Sequence, residues 1–555
     1  MKEKSFSGKE KAAGVILFCA NLIAFLTIWL ARQYDQVRLD EILFQLKTTS
    51  AGVENTLLGS AIFQVGGFSI LMTFIEIFSY RVLYGRSALI RQKIKGMVIH
   101  KYAAVRTFLK KNVLRICTVL LAAAVLILGG MVDFFDYVNA AATESDFIQE
   151  HYKEPSETVL HFPKQKRNLI YIFLESMENT YADPEAGEPI TACYIPELKK
   201  LAEDNVNFSH TDRLGGAFSY PGTTWTAAAM AAQTSGVMVK VNLAADTYGA
   251  GETFLPGATS IGDILEQEGY NQVLLLGSHA EFHGRKTYFT EHGNYRILDT
   301  EALKAEHRLD PDYNVWWGAE DAKILSLAKE ELQHLAEQDK PFNFTMLTAD
   351  THFPDGYHCE KCEDIYENQY ANVLACSSRQ ISEFVSWIQE QSFYKNTTIV
   401  ISGDHLTMDG KFMDDIEPGY TRTVYNCFIN AAVKPAREKN RQFGTFDMFP
   451  TTLAALGVKI EGNRLALGTN LFSSEDTLIE RDGLEFVNTE LQKSSAWMDE
   501  QSNLKEVTAD IEYRDYDPET HTITMVLSNV TSEQVDSFHV SMHMYGYLVN
   551  GKDYV

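Results

Sequence analysis

Four side chains in this 555-residue sequence have the types and settings that metal-assisted nucleophilic chemistry needs. The run Thr398-Ile399-Val400-Ile401-Ser402 stops at Gly403 and then presents a carboxylate and an imidazole side by side, Asp404 and His405. Ile399, Val400 and Ile401 read as a strand buried on both faces, so Gly403 marks the carboxyl end of a parallel strand, where ligands of open α/β sheets gather. At such an exit both side chains can turn toward one divalent ion, although the pair alone also fits a capping Asp beside a solvated His. Asn168–Leu174 (NLIYIFL) is a second run of this kind, and it ends in Glu175. Two strands ending in ligand types make a pattern that one does not.

The fourth side chain is a hydroxyl. Pro221-Gly222-Thr223-Thr224-Trp225 forms a turn ahead of Thr226, and Ala227–Ala232 (AAAMAA) is a helix-forming run. Thr226 stands where an N-cap belongs, which is one reading of it. The other is that the positive end of the helix, helped by a metal, stabilises its alkoxide and makes a poor nucleophile competent. Two further strands, Asn271–Leu276 and Phe342–Leu347, exit into loops that carry Arg285 and His352. Alone they fit solvated surface positions; beside a metal site they suit an anionic phosphoryl oxygen.

The elements that must position these residues alternate. Helices at Ile261–Gly269, Asn368–Gln391 and Phe446–Leu456 separate the strands named above and one more at Val424–Ile429, which predicts an α/β fold with a mainly parallel sheet covered by helices on both faces. Residues 491–555 change character, with alternating segments at Ile511–Tyr513, Thr520–Leu527 and Ser537–Val549 that predict a small β-rich addition.

The front of the chain is different in kind. Residues 1–140 hold 17 Lys and Arg against 9 Asp and Glu, so the remainder holds 32 against 65 and is strongly acidic, which excludes nucleic acid as its partner. Residues 12–31, 57–80 and 116–135 are each apolar enough and long enough to cross a membrane as a helix. Arg81–Arg115 carries ten basic residues and no acid, which places that loop and the N-terminus in the cytoplasm and everything after the third span outside it. The domain reading is an anchor at 1–140, a juxtamembrane linker at 141–166 with room for one short helix, a catalytic domain at 167–490 and the β-rich segment at 491–555. Cys359-Glu-Lys-Cys362 has the spacing of half a zinc ribbon without a second half; a disulfide involving Cys359, Cys362 or Cys376, or plain buried thiols, are the readings it leaves.

Seven segments in order carry a resemblance: Asn168–Ser176, Gly222–Ala232, Gly277–Arg285, Thr348–Phe353, Ser402–His405, Thr445–Gly457 and Leu467–Phe472. Over about residues 165–475 the chain resembles the lipoteichoic acid synthase and phosphoglycerol transferase family of the alkaline phosphatase/sulfatase superfamily, and its three-span anchor is most similar to the phosphoglycerol transferase I branch. The resemblance implies that Glu175, Thr226, Asp404 and His405 bind a divalent metal, manganese first with magnesium or zinc as alternatives. It further implies that Thr226 is the nucleophile and that Arg285 and His352 hold the phosphoglycerol head group. Two departures stand out. His283 replaces the Trp that lipoteichoic acid synthases carry two positions before the substrate Arg, and counting from Gly222 selects Thr224 as an alternative nucleophile.

The implied activity is transfer of glycerol phosphate from phosphatidylglycerol to a cell-envelope glycan or glycerophosphate polymer at the outer face of a bacterial membrane. A phosphoethanolamine transferase or a hydrolase on the same fold is the rival. Sulfate-ester hydrolysis is disfavoured, because the Cys/Ser-x-Pro-x-Arg motif from which sulfatases build formylglycine is absent: Cys193-Tyr-Ile-Pro-Glu has the wrong spacing and no Arg.

Overall fold

The computed structural model describes residues 6–34, 37–47, 59–83, 103–188, 190–241 and 253–503, with strands at 510–517, 522–528, 548–549 and 552–553. Its centre is a six-stranded sheet in the order Arg296–Leu298, Asn271–Leu276, Phe342–Leu347, Asn168–Leu174, Thr397–Gly403 and Asn426–Ile429. The first five strands are parallel, and the last pairs antiparallel with its neighbour. Every residue of Asn168–Leu174 and Thr397–Gly403 is buried. Along the former, Leu169, Tyr171 and Phe173 enter one apolar core while Ile170, Ile172 and Leu174 enter another on the opposite face. That period of two, apolar on both sides, is why these runs are strands covered by helices twice over. The expected α/β sheet is therefore present, and Arg296–Leu298 joins it as an edge strand too short to stand out in the sequence.

Register does the positioning. Phe173 lies opposite Ser402 and Leu174 opposite Gly403, so the two central strands end level and deliver Glu175 and Asp404 to one spot. Leu347 lies opposite Phe173 on the other side, which brings the loop that begins at Thr348 to the same end.

Three helices are long and apolar enough to span a membrane: Gly8–Gln33, Gly59–Arg81 and Thr107–Met131. Asn21 Nδ2 donates to Thr73 Oγ1 at 2.9 Å and to Glu76 Oε2 at 2.7 Å, tying the first two together. The third helix ends before the expected residue 135, because Asp133 takes a left-handed backbone (φ 52°). The basic stretch 84–102 lies outside the described residues, as do residues 57 and 58 of the expected second span. Between the first two spans the short helix Leu39–Lys47 packs Phe44 into the core of the larger unit.

Residues 141–166 hold the helix Phe147–His151, with Phe147 and Ile148 buried, and the strand Leu160–His161 paired to Lys459–Ile460. The chain divides into compact units at 1–503 and 504–555, so the helices Leu484–Gln492 and Ala496–Asn503 belong to the first. The second unit contains the hairpin of Asp510–Asp517 with Thr522–Ser528 and the short pair Leu548–Val549 with Lys552–Asp553. Most of the expected 537–549 segment lies outside the described residues. No disulfide forms among the described cysteines, all of which are free thiols.

Candidate metal centre and nucleophile

Glu175, Asp404 and His405 converge at the carboxyl end of the sheet, fully buried, with their ligand atoms all within 4.8 Å of one another. His405 Nε2 lies 3.6 Å from Glu175 Oε1 and 3.4 Å from Asp404 Oδ2. Thr226 joins them: its Oγ1 is 3.3 Å from Glu175 Oε2 and 3.4 Å from His405 Nε2. The sequence reading of Thr226 as an N-cap is corrected here. The helix is Thr226–Ser235, its N-cap is Trp225 without a side-chain capping bond, and Thr226 is its first turn. The hydroxyl is thus not spent on capping but turned toward the three ligand-type side chains.

Surrounding residues fix each group. Asp404 Oδ1 accepts from the backbone N–H groups of Ser176 and His405, both at 2.7 Å. The Ser176 hydroxyl donates to Glu175 Oε1 at 2.8 Å, and the Thr351 hydroxyl donates to the Glu175 carbonyl at 2.6 Å. Nδ1 of His405 faces the Leu406 carbonyl at 2.8 Å, so Nδ1 carries the proton and Nε2 turns its lone pair to the cluster. Gln233, from the Thr226 helix, donates to the carbonyls of Gly403 and Asp404 and locks that helix to the strand exit.

These residues fit a divalent cation. Asp404 Oδ2 is buried with no hydrogen-bond partner, a costly state that a cation would relieve. Burial, followed by the charge of Glu175, pushes the Asp404 carboxyl up to about 7. Burial also works to raise Glu175, but the His352 and His405 imidazoles outweigh it and the net direction is down. Burial lowers His405, while the charges of Asp404 and Glu175 overcome it and raise the imidazole. Two carboxylates and an imidazole competing for protons in a buried site is the arrangement a metal ion resolves.

Arg285 and His352 flank this cluster. Arg285 opens the helix Arg285–Glu291, and its guanidinium is anchored by Nε to the Phe282 carbonyl and by Nη2 to Ser278 Oγ and the His279 carbonyl. Burial draws it down to about 10, with Glu175, Asp299 and Asp404 acting against that, so it stays charged at neutral pH. The His352 ring sits 4.7 Å from Trp317 and 4.9 Å from Phe353, and its charge reaches Glu175. His283 is buried, stacked on Phe282 at 3.8 Å, and drawn down to about 3 by burial, with Arg285 and His352 adding to it. It is neutral and presents an aromatic ring to Phe282 and Phe44. The other threonines are engaged: Thr223 Oγ1 donates to the Tyr220 carbonyl at 2.9 Å, and Thr224 Oγ1 donates to Glu41 Oε1.

Sequence reasoning missed Glu41 and Phe44. The Phe44 ring lies 4.9 Å from Trp225 and 5.3 Å from His283, so the short helix from the membrane end of the chain packs against the turn that precedes Thr226. Burial pushes the Glu41 carboxyl up to about 7. Nothing in their local sequence marks them, because the contact spans more than 180 positions.

A family profile described as Sulfatase matches residues 167–458. Phosphoglycerol transferase I of Escherichia coli (strain SMS-3-5 / SECEC) is 32% identical over 332 residues, which cover 59% of this chain and 41% of that protein. The match therefore spans about two-fifths of the length of such relatives. Among solved structures, lipoteichoic acid synthase LtaP from Listeria monocytogenes aligns at 15% identity and TM-score 0.46 over 59% of this chain and 80% of that one. The lipooligosaccharide phosphoethanolamine transferase EptA from Neisseria meningitidis aligns at 15% and 0.46 over 80% and 83%.

Proposed function

The chain belongs to the sulfatase family, and from that premise we propose that it is a membrane-anchored transferase moving glycerol phosphate from phosphatidylglycerol to a glycan or glycerophosphate polymer. The observation that carries this reading is the meeting of Thr226 with Glu175, Asp404 and His405. Kinship with phosphoglycerol transferases at 32% identity supports the donor. A threonine in place of a formylglycine precursor speaks against sulfate esters.

Glu175, Thr226, Asp404 and His405 would hold a divalent cation, manganese first and magnesium or zinc otherwise, which when bound supplies Lewis-acid charge and lowers the pKa of a hydroxyl. Thr226, at the positive end of its helix, loses its proton and its Oγ1 attacks phosphorus. A P–O bond to the lipid glycerol breaks, the diacylglycerol oxygen takes up a proton, and a glycerophosphoryl ester remains on Thr226. An acceptor hydroxyl then attacks the same phosphorus, gives up its proton and returns the threonine. Arg285 and His352 bind the head group and offset the repulsion that an acidic domain exerts on a phosphodiester. Residues 1–140 act as anchor, with the basic loop cytoplasmic and 167–490 outside, so the site stays at the surface that holds its donor.

The test is to incubate the detergent-purified full chain with fluorescent phosphatidylglycerol and manganese. Release of fluorescent diacylglycerol, absent with Thr226→Ala, is expected; no release from a folded protein, or hydrolysis of a sulfate ester instead, would overturn the reading.

A further inference from the structure

Away from the Thr226 site, three thiols meet. Cys359 Sγ lies 3.6 Å from Cys362 Sγ and 3.9 Å from Cys376 Sγ, and all three sulfurs are within 4.8 Å of one another. A disulfide needs about 2.05 Å and joins only two sulfurs. A tetrahedral ion with bonds of about 2.3 Å to thiolates sets neighbouring sulfurs about 3.8 Å apart, which the two short separations bracket. The local backbone is also that of a ligand turn. Cys362 N donates to the Cys359 carbonyl at 3.0 Å, which closes the turn and holds the two sulfurs on one side of it.

Cys376 comes from the helix Gln369–Glu390, and Gln380 lies one turn further along the same face. Gln380 is buried, and its Nε2 is 3.4 Å from Cys376 Sγ and 3.9 Å from Cys359 Sγ. An amide aimed at two sulfurs is a partner for thiolate charge, since neutral thiols are weak acceptors. The cysteine spacing suggests half of a metal knuckle; the fold supplies the third sulfur from a different element.

We propose that Cys359, Cys362 and Cys376 form a second metal centre, binding one borderline-soft divalent ion of the zinc class through three thiolates. Among the described residues no other His, Cys, Asp or Glu joins the set, so water or an exogenous donor completes the tetrahedron. Binding displaces three thiol protons, one from each cysteine. The centre staples the 359–362 turn to the long helix. That helix in turn holds the loop of His352, because Tyr370 donates its hydroxyl to the Thr351 carbonyl at 2.7 Å. The role is structural, and it is independent of the chemistry assigned to Thr226.

Cobalt is the probe, because a sulfur-to-cobalt charge-transfer band in the near ultraviolet reports thiolate ligation and is silent at an oxygen and nitrogen site. The full chain, purified under reducing conditions and stripped of metal, is titrated with Co²⁺ and then with Zn²⁺. The expected result is a band that is bleached by Zn²⁺ and lost in Cys376→Ser, and that in Asp404→Asn, where the other site is disabled, persists and saturates at one equivalent. Should the variant fail to fold, alkylation of the unaltered protein serves: Zn²⁺ protects Cys359, Cys362 and Cys376 from iodoacetamide and leaves Cys193 unprotected. Absence of the band in folded, reduced protein, or unprotected thiols at these three positions, overturns the proposal. A disulfide between any two of them in protein isolated without reductant also overturns it.

Discussion

The hydroxyl oxygen of Thr226 lies 3.4 Å from Nε2 of His405, although 179 positions separate the two residues. One stands at the start of a helix and the other just past the end of a parallel strand, and only the folded sheet with its covering helix brings them together. The geometry singles out Thr226 over its neighbours. We expect Thr226→Ala to lower phosphatidylglycerol turnover by at least about a thousandfold while the melting temperature stays within a few degrees. Thr224→Val should keep measurable turnover, and equal losses in both variants, read in the same lipid assay, would remove the distinction.

Asp404 is the most exposed to the consequences of metal removal, because Oδ2 has no partner and Glu175 and His405 crowd it. Saturating manganese at about 100 times its dissociation constant should stabilise the native chain by about 2.7 kcal/mol. Asp404→Asn removes one of the two buried negative charges. In chelator its melting temperature should match or exceed that of the unaltered protein, and it should lose the upward shift on adding manganese. A drop in chelator together with a retained manganese shift would contradict the assignment.

His292 gives a pH dependence away from the metal site. It is buried, with Nδ1 3.1 Å from Asp263 Oδ2 and Nε2 2.9 Å from the Phe254 carbonyl. Burial lowers its pKa, but the bond and charge of Asp263 win, and the folded value is raised. Its contribution to stability is therefore complete below the unfolded value of about 6.5 and is lost as pH rises through the folded value. Urea midpoints measured from pH 5.5 to 9 should fall across that window, and His292→Gln should flatten the fall.

Phe44 connects the membrane end of the chain to the turn before Thr226. Replacing a buried Phe with Ala costs about 3–5 kcal/mol, more than a nine-residue helix gains by itself. Phe44→Ala should therefore release the helix Leu39–Lys47 without unfolding the sheet. Limited proteolysis should cut within residues 37–47 at least tenfold faster, with the main thermal transition displaced by only a few degrees. Unchanged cutting would show that Phe44 does not hold this helix in place.

The parts of the fold that could be read from sequence were those where composition alone forces the outcome. Asn271–Leu276 and Phe342–Leu347 are mainly apolar, four residues of six in each, and both strands have those ends in the structure. The partners Glu175, Asp404 and His405 were legible because each follows such a strand immediately, so parallel register had to bring them to one end. Thr226 was placed one position wrong within its helix, since a Thr before an alanine run satisfies N-cap statistics whether or not its hydroxyl is used there. Glu41, Phe44 and Gln380 left no local signal: their importance comes from docking between elements far apart in the chain. The same holds for the third thiol, because Cys376 reads only as a small buried residue on an amphipathic helix until the 359–362 turn is folded against it.

The central claim is that the hydroxyl of Thr226 becomes covalently bonded to phosphorus. The direct measurement is peptide mass spectrometry of the full chain quenched in acid after brief incubation with phosphatidylglycerol and manganese in the absence of acceptor. The account predicts one glycerophosphoryl group on the peptide containing Thr226, localised to that residue by fragmentation and discharged on adding an acceptor polymer. Diacylglycerol release with the group on Thr224, or with no residue modified at any quench time, would contradict it.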